Sequence, residues 1–204
     1  GADVAITYVR SAERAAQVVD RIEAQGRRGM AIQADSAEPD QVADAVRRTA
    51  EVLGRLDVLV NNAGIFALGE LGRFSRRDVE RTLAIHVHAP FAAAQAAAEV
   101  MADGGRIISI GSNLVERTGA PGMTLYTMSK AALTGLTRGL AHDLGARGIT
   151  ANVVHPGNTD TDMNPADAPH ADEERIRTPL GRYADPADIA ATVAHLAGEG
   201  GRFI

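Results

Sequence analysis

Short runs rich in Val and Ile alternate with stretches of helical periodicity from one end of this chain to the other. Strict alternation of that kind implies a parallel, doubly wound α/β sheet with helices on both faces. Val4 to Val9 reads as a first strand, and Ala15, Val18, Val19 and Ile22 then recur at helical spacing up to a stop at Gly26. Met30 to Ile32 is a second strand. Val42, Val46 and Leu53 mark a helix closed by Gly54, and Leu56 to Val60 is a third strand, nearly continuous in apolar character, as one covered on both faces should be. Ser75 and Asp78 resemble a capping box that opens a long helix to about Met101. A fourth strand (Arg106 to Ile110), a helix from about Pro121 to Ala146 and a fifth strand (Ile149 to His155) follow. Asp185-Pro186 suits the start of a last helix to about Leu196. The least regular stretch, Pro156 to Arg182, holds four of the eight prolines and reads as a mobile flap.

At 204 residues the chain suits one domain with a substantial core. A formal net charge of −5 and the absence of any Lys/Arg-rich block argue against a nucleic-acid partner. No Cys is present, which fits a reducing, cytoplasmic setting and leaves no thiolate metal site. The six His show no zinc-binding spacing, so no metal is expected. No apolar run approaches the roughly 18 residues of a membrane span. Gly1 leads almost directly into a strand, and Phe203-Ile204 ends without a polar tail, so both ends read as cuts through a longer polypeptide.

Twenty of the basic residues are Arg and one is Lys, and that one, Lys130, lies four residues after Tyr126. On a helix these two share a face. A free Tyr titrates near ~10 and donates protons poorly at neutral pH. A cation beside it favours the phenolate and lowers that value, which would move the group toward general acid/base chemistry. The alternative is a surface Tyr and Lys one turn apart.

In open α/β sheets the ligand crevice lies at the carboxyl ends of the strands, and the distinctive residues fall there. Asn61-Asn62-Ala63-Gly64 follows the third strand, Gly111-Ser112 the fourth, and Pro156-Gly157-Asn158-Thr159-Asp160-Thr161 the fifth. With Tyr126-x-x-x-Lys130 between them, this order and spacing resemble the short-chain dehydrogenase/reductase family in its single-domain, Rossmann-like form, of the 3-oxoacyl-carrier-protein-reductase type. The resemblance covers essentially all of residues 1–204. It implies that Tyr126 is the general acid/base, that Lys130 lowers its pKa and holds the nicotinamide ribose, and that Ser112 holds the substrate oxygen. It further implies that Asn62, Ala63 and Gly64 lie along the cofactor and that Asp35 and Ser36 meet the adenine. Pro156, Gly157, Thr159 and Thr161 would hold the carboxamide and pyrophosphate side. Asn61 reads as a structural hydrogen-bonder, and Asp35 serves equally well as a turn former.

Two departures qualify the resemblance. The family's first strand and Gly-rich turn are absent, as is its last strand, and the first of these would leave two unpaired interior edges. Such a piece is expected to fold or bind cofactor poorly by itself. The second departure is His86, which stands where the family usually has an Asn that supports a proton relay to the Lys. A neutral imidazole with one free acceptor nitrogen would hold the relay water in its place; the alternatives are a bystander or a weakened relay.

The implied activity is hydride transfer between NADP(H) and a carbonyl or secondary alcohol. NADP is favoured over NAD because the first strand ends in Tyr8-Val9-Arg10-Ser11, with no acid for the ribose hydroxyls and with Arg10 and Ser11 able to meet a 2′-phosphate. One alternative is a catalytically silent nucleotide-binding or scaffold protein of the same fold. Another is a sugar-nucleotide epimerase, which shares Tyr-x-x-x-Lys but usually carries a larger C-terminal substrate domain. Substrate choice is expected to reside in Asn158 to Arg182 and in the loop from Ile65 to Phe74. From Pro90 to Met101 the helix is small and apolar nearly all round, which predicts a second subunit against it, in a homodimer or homotetramer.

Overall fold

The computed structural model describes residues 1–204. Five parallel strands and seven α-helices follow one another as β1 (Val4–Tyr8), α1 (Ala12–Glu23), β2 (Gly29–Gln33), α2 (Pro39–Leu53) and β3 (Leu56–Asn61), then α3 (Arg76–Leu83), α4 (Ala89–Val100), β4 (Met101–Ile110), α5 (Thr124–Leu144), β5 (Thr150–Val154), α6 (Ala171–Arg177) and α7 (Pro186–Ala197). The expected doubly wound α/β architecture is present. The strands form two sheets, β1–β2 and β3–β4–β5, all pairings parallel. The facing edges of β1 and β3 bond to no strand. Between them lies a cleft of about 950 Å³, floored by side chains such as Val46 of α2 and Ala93 of α4.

Ile107 and Ile108 of β4 point to opposite faces and are 1% and 0% exposed, so helices cover this strand from both sides. One core joins α2, α4 and β3–β4–β5 through Val46, Ala93, Ala97, Leu56 and Ile107. The alanines of α4 let α2 approach closely, and Arg47 of α2 pairs with Glu99 of α4 at 3.1 Å. The small, apolar circumference of α4 is therefore spent partly within the chain, against α2. Phe91 nevertheless remains 52% exposed.

The helix from Ser75 does not run unbroken to Met101. The capping box is there: Ser75 Oγ accepts from the Asp78 amide at 3.2 Å, and the Asp78 carboxylate takes the Ser75 amide at 2.9 Å. At Ala84–His88, however, the helix widens into a π turn, with the Ala89 amide donating to the Ala84 carbonyl. Pro90 accounts for this. It has no N–H for the His86 carbonyl, and its ring would strike that oxygen in a regular helix. The predicted flap contains α6, and Asn158 Nδ2 reaches Glu174 Oε2 at 3.1 Å and Thr178 Oγ1 at 3.3 Å. No helix is long and apolar enough to cross a membrane.

Candidate active site

Three elements deliver the four candidate catalytic side chains to one place. Ser112 follows β4, Tyr126 and Lys130 lie one turn apart near the start of α5, and His86 comes from the π turn. All are buried: His86 is 1% exposed, Lys130 5%, Ser112 7% and Tyr126 8%. The Phe66 ring stands edge-on to Tyr126 at 4.7 Å and gives the phenol an apolar wall.

Burial dominates the electrostatics. It raises the Tyr126 phenol above its ordinary value, and hydrogen bonding with the Ser112 hydroxyl offsets part of that rise. It also pushes Lys130 down to about 8. The expectation that Lys130 lowers the Tyr126 pKa is not met here. The ammonium donates to the Ile110 carbonyl at 2.7 Å, at the end of β4, and desolvation outweighs any charge effect on the phenol.

His86 also departs from expectation. Its Nε2 accepts the Ile65 amide at 3.0 Å, and its Nδ1 lies 2.8 Å from Ser129 Oγ. Neither ring nitrogen is free to hold a relay water. Burial and the nearby Lys130 charge push this imidazole down to about 4, so it is neutral at ordinary pH.

The expected cofactor residues line the strand ends. A Cβ on Gly64 would sit 3.3 Å from His86 Nε2 and 3.4 Å from Lys130 Nζ, so only glycine fits without moving either group. Asn62 and Ala63 are exposed beside it, whereas Asn61 Nδ2 turns to Ser109 Oγ at 3.4 Å, the structural role expected of it. Arg10 and Ser11 are exposed. Arg10 makes no ion pair with any acid of the chain, and the Ser11 side chain caps nothing. Asp35 is a turn former, its Oδ1 taking the Ala37 amide at 2.8 Å, with Ser36 half-buried beside it. Pro156 and Gly157 follow β5; Thr159 Oγ1 donates to the Gly157 carbonyl, and Thr161 Oγ1 accepts the Asn164 amide. The large cleft touches Ser36, Asn62 and Ala63 but none of Ser112, Tyr126 or Lys130. These residues fit a phosphate-bearing dinucleotide: an uncommitted cation and hydroxyl at one end, and a glycine lying directly over Lys130 at the other. No three His, Asp or Glu side chains cluster as metal ligands would.

Sequence reasoning overlooked Ser129, Phe66 and His155. Ser129 has a sequence signal, since a Ser three residues after Tyr126 can return its hydroxyl to that carbonyl, as it does at 2.8 Å. His155 Nδ1 lies 3.1 Å from the Ser112 amide and 2.9 Å from its carbonyl, and bonds one or the other according to its tautomer. Only the pairing of β4 with β5 reveals it.

Known proteins resemble this chain along its whole length. The sequence model of the family described as enoyl-(acyl carrier protein) reductase matches residues 1–204. The chain belongs to the short-chain dehydrogenase/reductase family. A cyclic-di-GMP-binding biofilm dispersal mediator protein of Escherichia coli strain K12 is 43% identical over the whole chain and 82% of its own length. Two crystal structures superpose on all of the chain with TM-scores of 0.98: a blue fluorescent protein from a metagenomic library in complex with NADPH, 58% identical, and a Burkholderia cenocepacia short chain dehydrogenase in complex with NADP, 57% identical. In each case 83% of the other chain is covered.

Proposed function

We propose that this oxidoreductase uses NADPH to reduce a carbonyl compound to a secondary alcohol, with Tyr126 as the general acid. The observation that carries the reading is the meeting of Ser112, Tyr126 and Lys130 in one buried cluster at the strand ends. NADPH, when bound, supplies the hydride that goes to the carbonyl carbon. Ser112 offers a hydroxyl to the substrate oxygen, a preorganised donor where negative charge develops. Tyr126 gives that oxygen the phenolic proton, which completes the alcohol. Because burial raises its pKa, the phenol is fully loaded with its proton at neutral pH, which suits reduction. The reverse, oxidative direction needs the phenolate and is expected to require alkaline solution. Lys130, one turn along α5 from Tyr126, is assigned to hold the nicotinamide ribose. Phe66 makes the wall beside the phenol apolar, so an apolar carbonyl substrate is favoured over a highly charged one.

Arg10 and Ser11 support NADPH over NADH, and both superposed structures carry the phosphorylated cofactor. A nucleotide-binding protein without turnover is the second reading, and the cyclic-di-GMP-binding E. coli relative favours it. The retained Ser112, Tyr126 and Lys130 favour catalysis. Following NADPH oxidation with a panel of ketones and 3-oxoacyl thioesters separates the two. In the polypeptide supplied with the family's first strand and Gly-rich turn, turnover is expected, and Tyr126→Phe should cost at least about a hundredfold. Activity of the variant within about tenfold of the parent, a barrier change of only ~1.4 kcal/mol, overturns the role of Tyr126.

The same reading includes a homodimer or homotetramer. Phe91 of α4 and Met128 of α5 are 52% and 51% exposed, and Ala131, Gly135 and Gly139 continue the exposed face of α5 with small residues. An isologous contact would bury both helices. Light scattering at micromolar concentration should give at least twice the chain mass; a monomer refutes this part.

A further inference from the structure

Three hydrogen bonds, the first part-buried and the other two buried, run in series from the turn after β3 to the backbone of α5. The Ile65 amide donates to His86 Nε2 at 3.0 Å, His86 Nδ1 meets Ser129 Oγ at 2.8 Å, and the Ser129 hydroxyl donates to the Tyr126 carbonyl at 2.8 Å. The first bond determines the second. A backbone amide can only donate, so Nε2 carries its lone pair, and a neutral imidazole must then hold its proton on Nδ1. The single Ser129 proton goes to the Tyr126 carbonyl, so Ser129 Oγ accepts from Nδ1–H. Every donor points the same way, and bonds aligned head to tail strengthen one another. His86 is 1% exposed and Ser129 0%, so water does not compete for either.

We propose that His86 is a positioning residue: in its Nδ1–H tautomer it clamps the turn at Gly64-Ile65 to the Tyr126 turn of α5. The catalytic consequence rests on the reductase reading; the clamp itself does not. Gly64 lies directly on the clamp, since a Cβ there would reach His86 Nε2 at 3.3 Å and Lys130 Nζ at 3.4 Å. The turn that carries Asn62 and Ala63 is thus tied to the helix that carries the acid and its lysine. A second proton on the ring would displace the Ile65 amide and break the chain at its first link. The ionisable groups beside the ring are Lys130 and Tyr126, both from α5. The Lys130 charge, with burial, keeps the ring neutral down to about 4.

Nitrogen-15 NMR of the imidazole in the full chain tests the clamp without turnover. The expected result is a protonated Nδ1 and a bare Nε2, with no titration at the ordinary histidine value of 6.5. A proton on Nε2, or a titration near 6.5, overturns the proposal. In Ser129→Ala the Nδ1–H loses its acceptor and the ring is freer to turn, so exchange of the Ile65 amide should quicken by about tenfold or more. Unchanged exchange in a folded variant also overturns it. For catalysis, Ser129→Ala and His86→Ala should each lower kcat about tenfold with KM little changed, and the double variant should be no worse than the worse single. Multiplying effects would mean that the two residues act separately. If the ring shows the Nδ1–H tautomer but no carbonyl compound is turned over, the reductase reading fails and the clamp stands.

Discussion

Lys130 Nζ donates to the Ile110 carbonyl at 2.7 Å, so the chain's single lysine belongs to α5 by backbone and to the end of β4 by side chain. It is 5% exposed, and burial brings its pKa to about 8. A compact ammonium fits that space. An arginine is larger, planar and always charged. Lys130→Arg is therefore expected to cost about 2 kcal/mol of stability by overpacking and at least about a hundredfold in turnover. Urea unfolding with NADPH oxidation checks both; a variant matching the parent in both would show that the composition bias is accidental.

Gly64→Ala tests the same corner from the opposite side. The new methyl would meet His86 Nε2 and Lys130 Nζ at 3.3 and 3.4 Å, tight contacts that shift each group a little. Turnover should fall about tenfold, while stability should change by no more than about 1 kcal/mol. Gly72→Ala is the control, because nothing lies within 4 Å of a Cβ there. Equal effects of the two substitutions would mean that Gly64 has no special relation to Lys130.

The strands and their order were legible because β-α alternation leaves few topologies open, and observed boundaries differ from expectation mostly by one or two residues. β4 is the exception: it begins at Met101 rather than Arg106, with a register shift against β3 between Leu56 and Val58. Gly104 and Gly105 hid those residues, since glycine gives no side-chain periodicity. The π turn was hidden because Pro90 looks tolerable near a helix start, and only the long prediction through it made it a breaker. The candidate site was legible where one residue type sits beside one strand end, as with Ser112 and Tyr126. It was not legible where the answer depends on direction. The sequence places Lys130 beside Tyr126, yet the destination of the ammonium is a carbonyl on another element, and burial then raises the phenol instead of lowering it. His86 was found by position, but its partners, Ile65 and Ser129, come from two other segments.

Arg10 is expected to decide cofactor choice. It is exposed, beside Ser11, with no acid of the chain engaged. Arg10→Glu should weaken NADPH binding by about tenfold or more through loss of a charge-assisted contact, and leave NADH unchanged or improved. Fluorescence titration of both reduced cofactors measures this. Parallel weakening of both would place Arg10 away from the 2′-phosphate.

Acid stability should report the buried imidazole. In the unfolded chain His86 takes up its proton near the ordinary 6.5, but in the fold not until about 4. Between those values the unfolded state binds more protons, so stability falls as pH falls. The contribution is fully present above 6.5 and is lost on the way down to about 4. It amounts to roughly 3 kcal/mol at ~1.4 kcal/mol per unit. His86→Gln keeps an acceptor for the Ile65 amide and removes the titration. Carboxylates contribute to acid lability in both proteins, so the difference between them isolates the ring. Urea midpoints from neutral pH to about pH 4.5 should therefore decline more steeply for the parent than for the variant. Parallel declines would mean that the imidazole is readily protonated in the fold, which is incompatible with a bare Nε2 held by the Ile65 amide.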